Sequence, residues 1–294
     1  MVTFGLDASH HQGTLDFARF RNEAGIQFAF LKATEGAGFT DGDFTVNLRK
    51  AQDAGLLVAA YHYVRADSSA VSQVSRVLSV VPLSVPVIPD VESGSGGVSL
   101  TLEFVRRLQL AGYRVPLLYL PRWYWQQIGS PSLAGLPPLW SSRYPDNVPG
   151  SLDDEWADVP TSYWNGYGGL PVAVLQFTSS GRLPGYSNNN LDLNAYPGTR
   201  DQLATLLGYG SEDVVATAND VWQAQVWHHY PDTPEGHALA ELFGNQVGDL
   251  VEEHTAGEWL TAMAVRTSEA RKALAEVQAK LDQILAAVQT GGTP

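Results

Sequence analysis

Two rhythms alternate along the first two thirds of the chain. Short apolar runs at Val2–Asp7, Ile26–Lys32, Leu57–His62, Val85–Asp90, Val115–Leu120, Leu139–Ser142, Val172–Phe177 and Asn190–Asn194 read as strands. Between the early runs, apolar positions return at helical spacing over Leu15–Ala24, Asp43–Ala54, Ser69–Val80 and Ser99–Ala111. Gly25, Gly55 and Gly112 follow three of these segments, where a left-handed C-cap is expected. Strands alternating with helices predict an α/β fold, a parallel sheet wrapped by helices. About eight strands with four or five helices favour an irregular β/α barrel, its later strands joined with little helix. An open doubly wound sheet is the alternative.

No strand pattern follows Gly208-Tyr209-Gly210, so residues 1–210 are read as the barrel. Residues 211–256 mix Trp222, Trp227 and His228-His229-Tyr230 with helical stretches. From Leu260 the positions Leu260, Met263, Thr267, Ala270, Leu274, Val277, Leu281, Ile284 and Val288 fall three or four apart, which makes about four heptads. Residues 257–290 are therefore expected to form a coiled-coil helix ending an all-α C-terminal region. A seam this narrow buries itself best against copies of itself, which predicts a homo-oligomer through residues 260–288. One amphipathic helix packed back on the barrel is the alternative. Residues 291–294 are expected to fray.

Composition narrows the function. The net charge of −13 argues against a nucleic-acid partner and against attachment to an anionic membrane. There is no cysteine, which excludes disulfides, Cys-ligated zinc and thiol nucleophiles. Met1–Asp7 lacks the basic and apolar regions of a signal peptide, and no run approaches the ~20 apolar residues of a membrane span. Synthesis in the cytoplasm without membrane insertion is expected.

The candidate chemistry centres on Pro86-Val87-Ile88-Pro89-Asp90-Val91-Glu92, an apolar run ending in two acids. A strand period of two puts Asp90 and Glu92 on one face, roughly 6–7 Å apart, within reach of one glycosidic bond. Acids that merely cap a following helix are the plain alternative. Other polar residues collect at strand ends: Asp7, Lys32 to Glu35, Tyr61-His62-Tyr63, Tyr119, Trp140, Gln176 and Asp192. Taken singly, His62 reads as a satisfied core histidine, and Tyr119 and Trp140 as packing; together they outline a cleft of carboxylates and aromatics. No phosphate loop, GxGxxG or G-x-S-x-G elbow occurs, so no nucleotide cofactor or serine nucleophile is expected. His10-His11 and His228-His229 would face apart on a strand and are not read as metal sites. Acid–base carboxylate chemistry is what is left.

At these positions the sequence resembles the glycoside hydrolase family 25 lysozymes. The match runs in order through Gly5-Leu6-Asp7-Ala8-Ser9-His10-His11-Gln12-Gly13, Phe30-Leu31-Lys32-Ala33-Thr34-Glu35-Gly36, Ala54-Gly55-Leu56, Ala60-Tyr61-His62-Tyr63 and Asp90-Val91-Glu92. It continues through Leu139-Trp140, Tyr144, Leu175-Gln176-Phe177-Thr178-Ser179 and Asp192-Leu193-Asn194. The resemblance implies an irregular barrel that cleaves the β-1,4 bond after N-acetylmuramic acid in bacterial peptidoglycan, with no cofactor. It implies Glu92 as general acid, Asp90 assisting at the 2-acetamido group or the sugar cation, and Asp7 and Asp192 completing an acidic ring. Tyr61, Tyr63, Tyr119, Trp140, Gln176 and Glu35 would bind the saccharide.

The resemblance further suggests a phage endolysin, made in the host cytoplasm and acting on the wall after release, with 211–256 as connector or wall-binding module. Acetamido participation and direct attack by water both stay open. Two departures stand out. Pro89 cannot donate to a strand ladder and predicts a bulge or altered pairing beside Asp90. Ser141-Ser142-Arg143 also replaces an apolar step expected before Tyr144. If either spoils the site, the chain would be a non-catalytic wall-binding or virion protein on a lysozyme-like scaffold. An enzyme of chitin fits less well, because the spaced aspartates that precede the acid in related barrels are missing.

Overall fold

The computed structural model describes residues 2–209. The expected connector, coiled coil and frayed tail at 211–294 lie outside the described residues. Nine strands form one sheet: β1 (Thr3–Ala8), β2 (Phe28–Glu35), β3 (Phe39–Thr40), β4 (Leu57–Tyr63), β5 (Val87–Asp90), β6 (Leu118–Tyr119), β7 (Leu139–Ser142), β8 (Val172–Gly181) and β9 (Leu191–Tyr196). Every strand expected from the sequence is present. Strand β1 pairs with both β2 and β9, which closes eight strands into a barrel and leaves β3 as a short flap on β2. That closure removes the open-sheet alternative.

The sheet is not wholly parallel. Apart from the β3 flap, antiparallel to β2, the strands from β1 to β8 run parallel, but β9 is antiparallel to both β8 and β1. The amino end of β9 therefore meets the carboxyl ends of the others. Asp192, expected at a carboxyl end, reaches the rim from the opposite direction.

Inside the barrel, alternate strand residues pack together: Phe28 and Phe30, Leu57 and Ala59, Ile88, Leu117 and Tyr119, Trp140 and Val174. Gly5 is what lets Phe28 in, since a Cβ there would lie 2.4 Å from its ring. Helices α1 (Phe17–Ala24), α2 (Phe44–Asp53), α3 (Ala70–Leu78) and α4 (Val98–Leu110) match the four segments read from the sequence. At Gly25 the αL conformation (φ 71°) returns the cap N–H to Arg21 O, as the C-cap reading required. Three further helices were not read: α5 (Arg122–Gln127), α6 (Leu152–Ala157) and α7 (Arg200–Leu207). Leu203 and Leu207 of α7 join the interior cluster. Because α7 follows the antiparallel strand, it covers the end of the barrel away from the acids.

Pro89 does not bulge β5. The β4–β5 register runs unshifted through Ala60↔Val87, Tyr61↔Ile88, His62↔Pro89 and Tyr63↔Asp90. The amides of Val87 and Val91 instead donate towards β6, to Arg114 O and Tyr119 O. Residue 89 shares their side, so the missing donor falls on the β6 ladder, which keeps a single bridge, Asp90↔Tyr119. The other departure, Ser141-Ser142, forms the outer half of β7, paired with Leu175 and Gln176 beyond a register shift at Leu139/Trp140.

Candidate active site

At the carboxyl end of the parallel strands lies a cleft of about 300 Å³. Its walls bring together all four expected acids, Asp7, Asp90, Glu92 and Asp192, with Tyr61, Tyr63, Tyr119, Trp140 and Gln176. Ser9, His11, Gln12, Lys32 and Tyr144 also line it. The sequence offers all five only as members of motifs, a strand end or a histidine pair. Each lies in or beside a resemblance motif, which was the available signal.

Asp7 and Asp192 are direct cross-strand partners on β1 and β9, an arrangement of like charges that antiparallel pairs avoid. Asp7 Oδ1 accepts from Gln176 Nε2 at 2.8 Å and from Asn194 Nδ2 at 2.6 Å. The orientation of both amides is fixed one step further out. Trp140 Nε1, which can only donate, bonds Asn194 Oδ1 at 2.7 Å. The hydroxyls of Tyr119 and Tyr144 donate to Gln176 Oε1 at 3.1 and 2.6 Å. Even so, burial dominates: it pushes Asp7 up to about 7 against the two hydrogen bonds, with Glu92 adding to the rise. Burial, then Asp7 and Glu92, hold Asp192 well above the usual carboxylate range.

The sequence pair Asp90 and Glu92 straddles the end of β5. Asp90 closes the strand, while Glu92 opens a turn in which its N–H bonds Ser95 Oγ at 3.0 Å and its carbonyl accepts from Ser95 N at 2.9 Å. Asp90 is 4% exposed, and its Oδ1 has no partner among the described residues. Burial raises it far above its ordinary value; Glu92 adds to the rise and Lys32 opposes it. Glu92 is half-buried and also raised, first by burial and then by Glu35, against Lys32. Glu92 and Asp90 repel one another, so ionising either one raises the other, and Glu35 adds a further like charge to both.

Three expected binding residues take a different part. Glu35 is not among the lining residues; its carboxylate is held by Lys32 Nζ at 2.7 Å and faces Arg65 at 3.7 Å. Trp140 is 2% exposed and Tyr119 8%. The Trp140 ring packs against Phe30, Tyr61 and Tyr119 at 4.9, 6.0 and 4.5 Å between centroids. Neither ring offers an open face for stacking, and both form the floor that aims the amides at Asp7. Tyr63 is more open: its hydroxyl bonds Ser93 O at 2.6 Å, and Lys32 Nζ sits 5.1 Å from its ring centre. His10 and His11 lie in a turn, not a strand, so their rings meet at 4.1 Å where the sequence reading had them face apart. Among the described residues, no group of three or more His, Asp or Glu side chains is arranged to hold a metal ion.

Comparison with known proteins places this cleft in a family. The model of glycosyl hydrolases family 25 matches residues 6–186. Lysozyme M1 of Streptomyces globisporus is 26% identical over 223 residues, covering 69% of this chain and 70% of its own. The crystal structure of a bacterial lysozyme from Streptomyces coelicolor superposes with a TM-score of 0.54 at 25% identity, over 70% of this chain and 96% of that one. The catalytic domain of an endolysin from a Listeria monocytogenes bacteriophage shares the fold, with a TM-score of 0.52 at 20% identity, over 71% and 98% of the two chains. With this match spanning Asp7, Asp90 and Glu92, the chain belongs to glycosyl hydrolases family 25 and is a glycoside hydrolase of the lysozyme type.

Proposed function

We propose that the enzyme hydrolyses bacterial peptidoglycan at the β-1,4 bond between N-acetylmuramic acid and N-acetylglucosamine, with Glu92 as general acid. The observation that carries this reading is the convergence of Asp7, Asp90, Glu92 and Asp192 in one cleft, with all four carboxyls pushed towards the protonated form. A general acid must hold its proton near the working pH and still reach the leaving oxygen. Glu92, raised yet half-exposed in a turn, meets both needs better than its buried neighbours. Its proton passes to the glycosidic oxygen as the C–O bond breaks, and water supplies the new reducing-end hydroxyl.

Asp90 then assists. Its unpartnered Oδ1 is a buried acceptor waiting for a donor, and the N–H of a 2-acetamido group is such a donor. That favours participation of the acetamido oxygen at the anomeric carbon, with Asp90 steadying the group and Asp7 and Asp192 closing the acidic ring. Tyr61 and Tyr63 line the saccharide path. Tyr119, Trp140 and Gln176 shape it from below, and Glu35 acts through Lys32. The non-catalytic alternative loses its main support, since Pro89 leaves the β4–β5 register unshifted.

The setting we favour is an endolysin made in the host cytoplasm, with residues 260–288 joining copies to raise avidity for a polymeric wall. Sedimentation equilibrium of the full chain tests the last point; a monomer rejects it.

The test of the reaction is release of reducing ends from purified peptidoglycan, with mass spectrometry of the fragments. Muramic acid at the new ends is expected, with a loss of about 10³-fold in Glu92→Gln. Activity that survives the substitution would remove Glu92 from its role. No release from any wall type would reject the enzymatic reading.

A further inference from the structure

A cleft of about 300 Å³ lies at the small end of ligand sites, yet the proposed substrate is a polymer. Sugars further from the bond must lie on the surface at the mouth. On the β1–β2 side, that surface is aromatic. His11 lines the cleft, its ring stands 4.1 Å from that of His10, and His10 stands 5.6 Å from Phe39 on β3. Phe39 is 40% exposed, and the His10 side chain 38%.

The ledge is built, not incidental. Asp41, buried at 3% exposure, accepts from both His10 N and His10 Nδ1 through Oδ2, at 2.9 and 2.8 Å. Its other oxygen accepts from Asp43 N at 3.0 Å, and its own N–H bonds Ala33 O at 2.9 Å. Beneath Phe39, Lys32 Nζ lies 5.4 Å from the ring centre. The His10 ring is thus fixed before any ligand arrives, with His11 and Phe39 packed on either side of it, which lowers the ordering cost of binding. Phe39 packs against His10 and Lys32 and leaves 40% of its surface to solvent beside the cleft.

We infer that Phe39, His10 and His11 form an outer glycan subsite, on which a sugar of the same strand beyond those in the cleft stacks its apolar face. The inference rests on the muramidase reading and adds a determinant of chain-length preference. The rings are positioning residues for the strand; none touches the reacting atoms.

The experiment compares kcat/KM on two peptide-free glycans of alternating N-acetylglucosamine and N-acetylmuramic acid, a tetrasaccharide and an octasaccharide. Phe39→Ala is expected to lower kcat/KM on the octasaccharide by about five- to ten-fold, largely through KM. On the tetrasaccharide it should stay within about two-fold, and Phe39→Trp should keep the long-chain preference. Equal loss on both glycans, or no loss on either, would overturn the subsite. So would a loss seen only on strands that carry stem peptides. If the wild type cleaves neither glycan, the muramidase reading fails on its own. The ledge is then judged by octasaccharide affinity, where weaker binding by Phe39→Ala supports it and equal binding overturns it.

Discussion

His62 on β4 and Asp7 on β1 are both buried near the same rim, 0% and 5% exposed, but their surroundings differ in kind. Around His62 every polar atom has a complementary partner. Gln73 Nε2 donates to Arg65 O and Ser68 O, both at 2.9 Å, so Gln73 Oε1 must face Arg65 N at 2.8 Å and His62 Nε2 at 3.1 Å. That assigns the ring proton to Nε2 and leaves Nδ1 to accept from Thr34 Oγ1 at 2.7 Å. The neutral ring stacks on Phe104, and burial holds its pKa down to about 4. Around Asp7 the fold instead gathers three more acids and leaves one Asp90 oxygen unpartnered. A satisfied polar node stabilises a fold, whereas a cluster of like charges costs stability and is kept for chemistry.

Removing each group should therefore act in opposite senses. His62→Ala strands Thr34 Oγ1 and one face of Gln73 and opens a cavity beside Phe104. A loss of about 3–5 kcal/mol is expected at pH 7 in chemical denaturation, with kcat/KM little changed while the protein is folded. Asp7→Asn keeps an acceptor for Gln176 and Asn194 but no longer ionises. Wild-type Asp7 goes from an unfolded pKa near 3.9 to about 7 when folded. Its proton-linked stability is complete below pH 4 and is lost as pH rises through 7. Asp7→Asn should thus gain about 4 kcal/mol at pH 8 and little at pH 4, while losing activity. His62 has the reverse slope: its contribution is complete above pH 6.5 and falls towards pH 4. A variant destabilised at pH 8 by Asp7→Asn would show that the cleft is not under electrostatic strain.

The two clusters were not equally legible. A lone histidine between Tyr61 and Tyr63 on a buried strand reads as a core residue, and so it is. The acids were legible as residues, but not the route by which they meet. Period-two patterning carries no strand direction, so nothing before the pairing showed that β9 turns over to set Asp192 opposite Asp7. For the same reason the sequence could not show which side of β5 Pro89 faces, and so which ladder loses its rung. Trp140 could be assigned to a strand but not to a depth. Helices α5 and α6, six residues each, are too short to show a period. Helix α7 was readable: Thr199 and Gln202 form a reciprocal capping box and Gly208 ends the helix in αL.

Lys32 and Glu35 stand between the two regions and allow the finest test. On β2 they are joined at 2.7 Å, next to the Thr34 that serves His62. The groups facing Asp90 and Glu92 are Asp7 from β1, Lys32 and Glu35 from β2, Tyr61 and Tyr63 from β4, Tyr119 from β6, Tyr144 after β7, and Asp192 from β9. Lys32 is the one whose charge draws both carboxyls down, and Glu35 raises both. Removing Lys32 as Lys32→Met should let Glu92 keep its proton to higher pH, moving both limbs of the kcat/KM profile up by about half to one unit. Glu35→Gln leaves the lysine charge unneutralised and should move the same limbs down by a similar or smaller amount. Loss of the Lys32 contact with the Tyr63 ring could lower the rate of Lys32→Met, but it cannot give two adjacent substitutions opposite shifts. Shifts in the same direction, or none, would mean that burial alone sets the protonation of the acids and that the ion pair serves only to hold β2 in place.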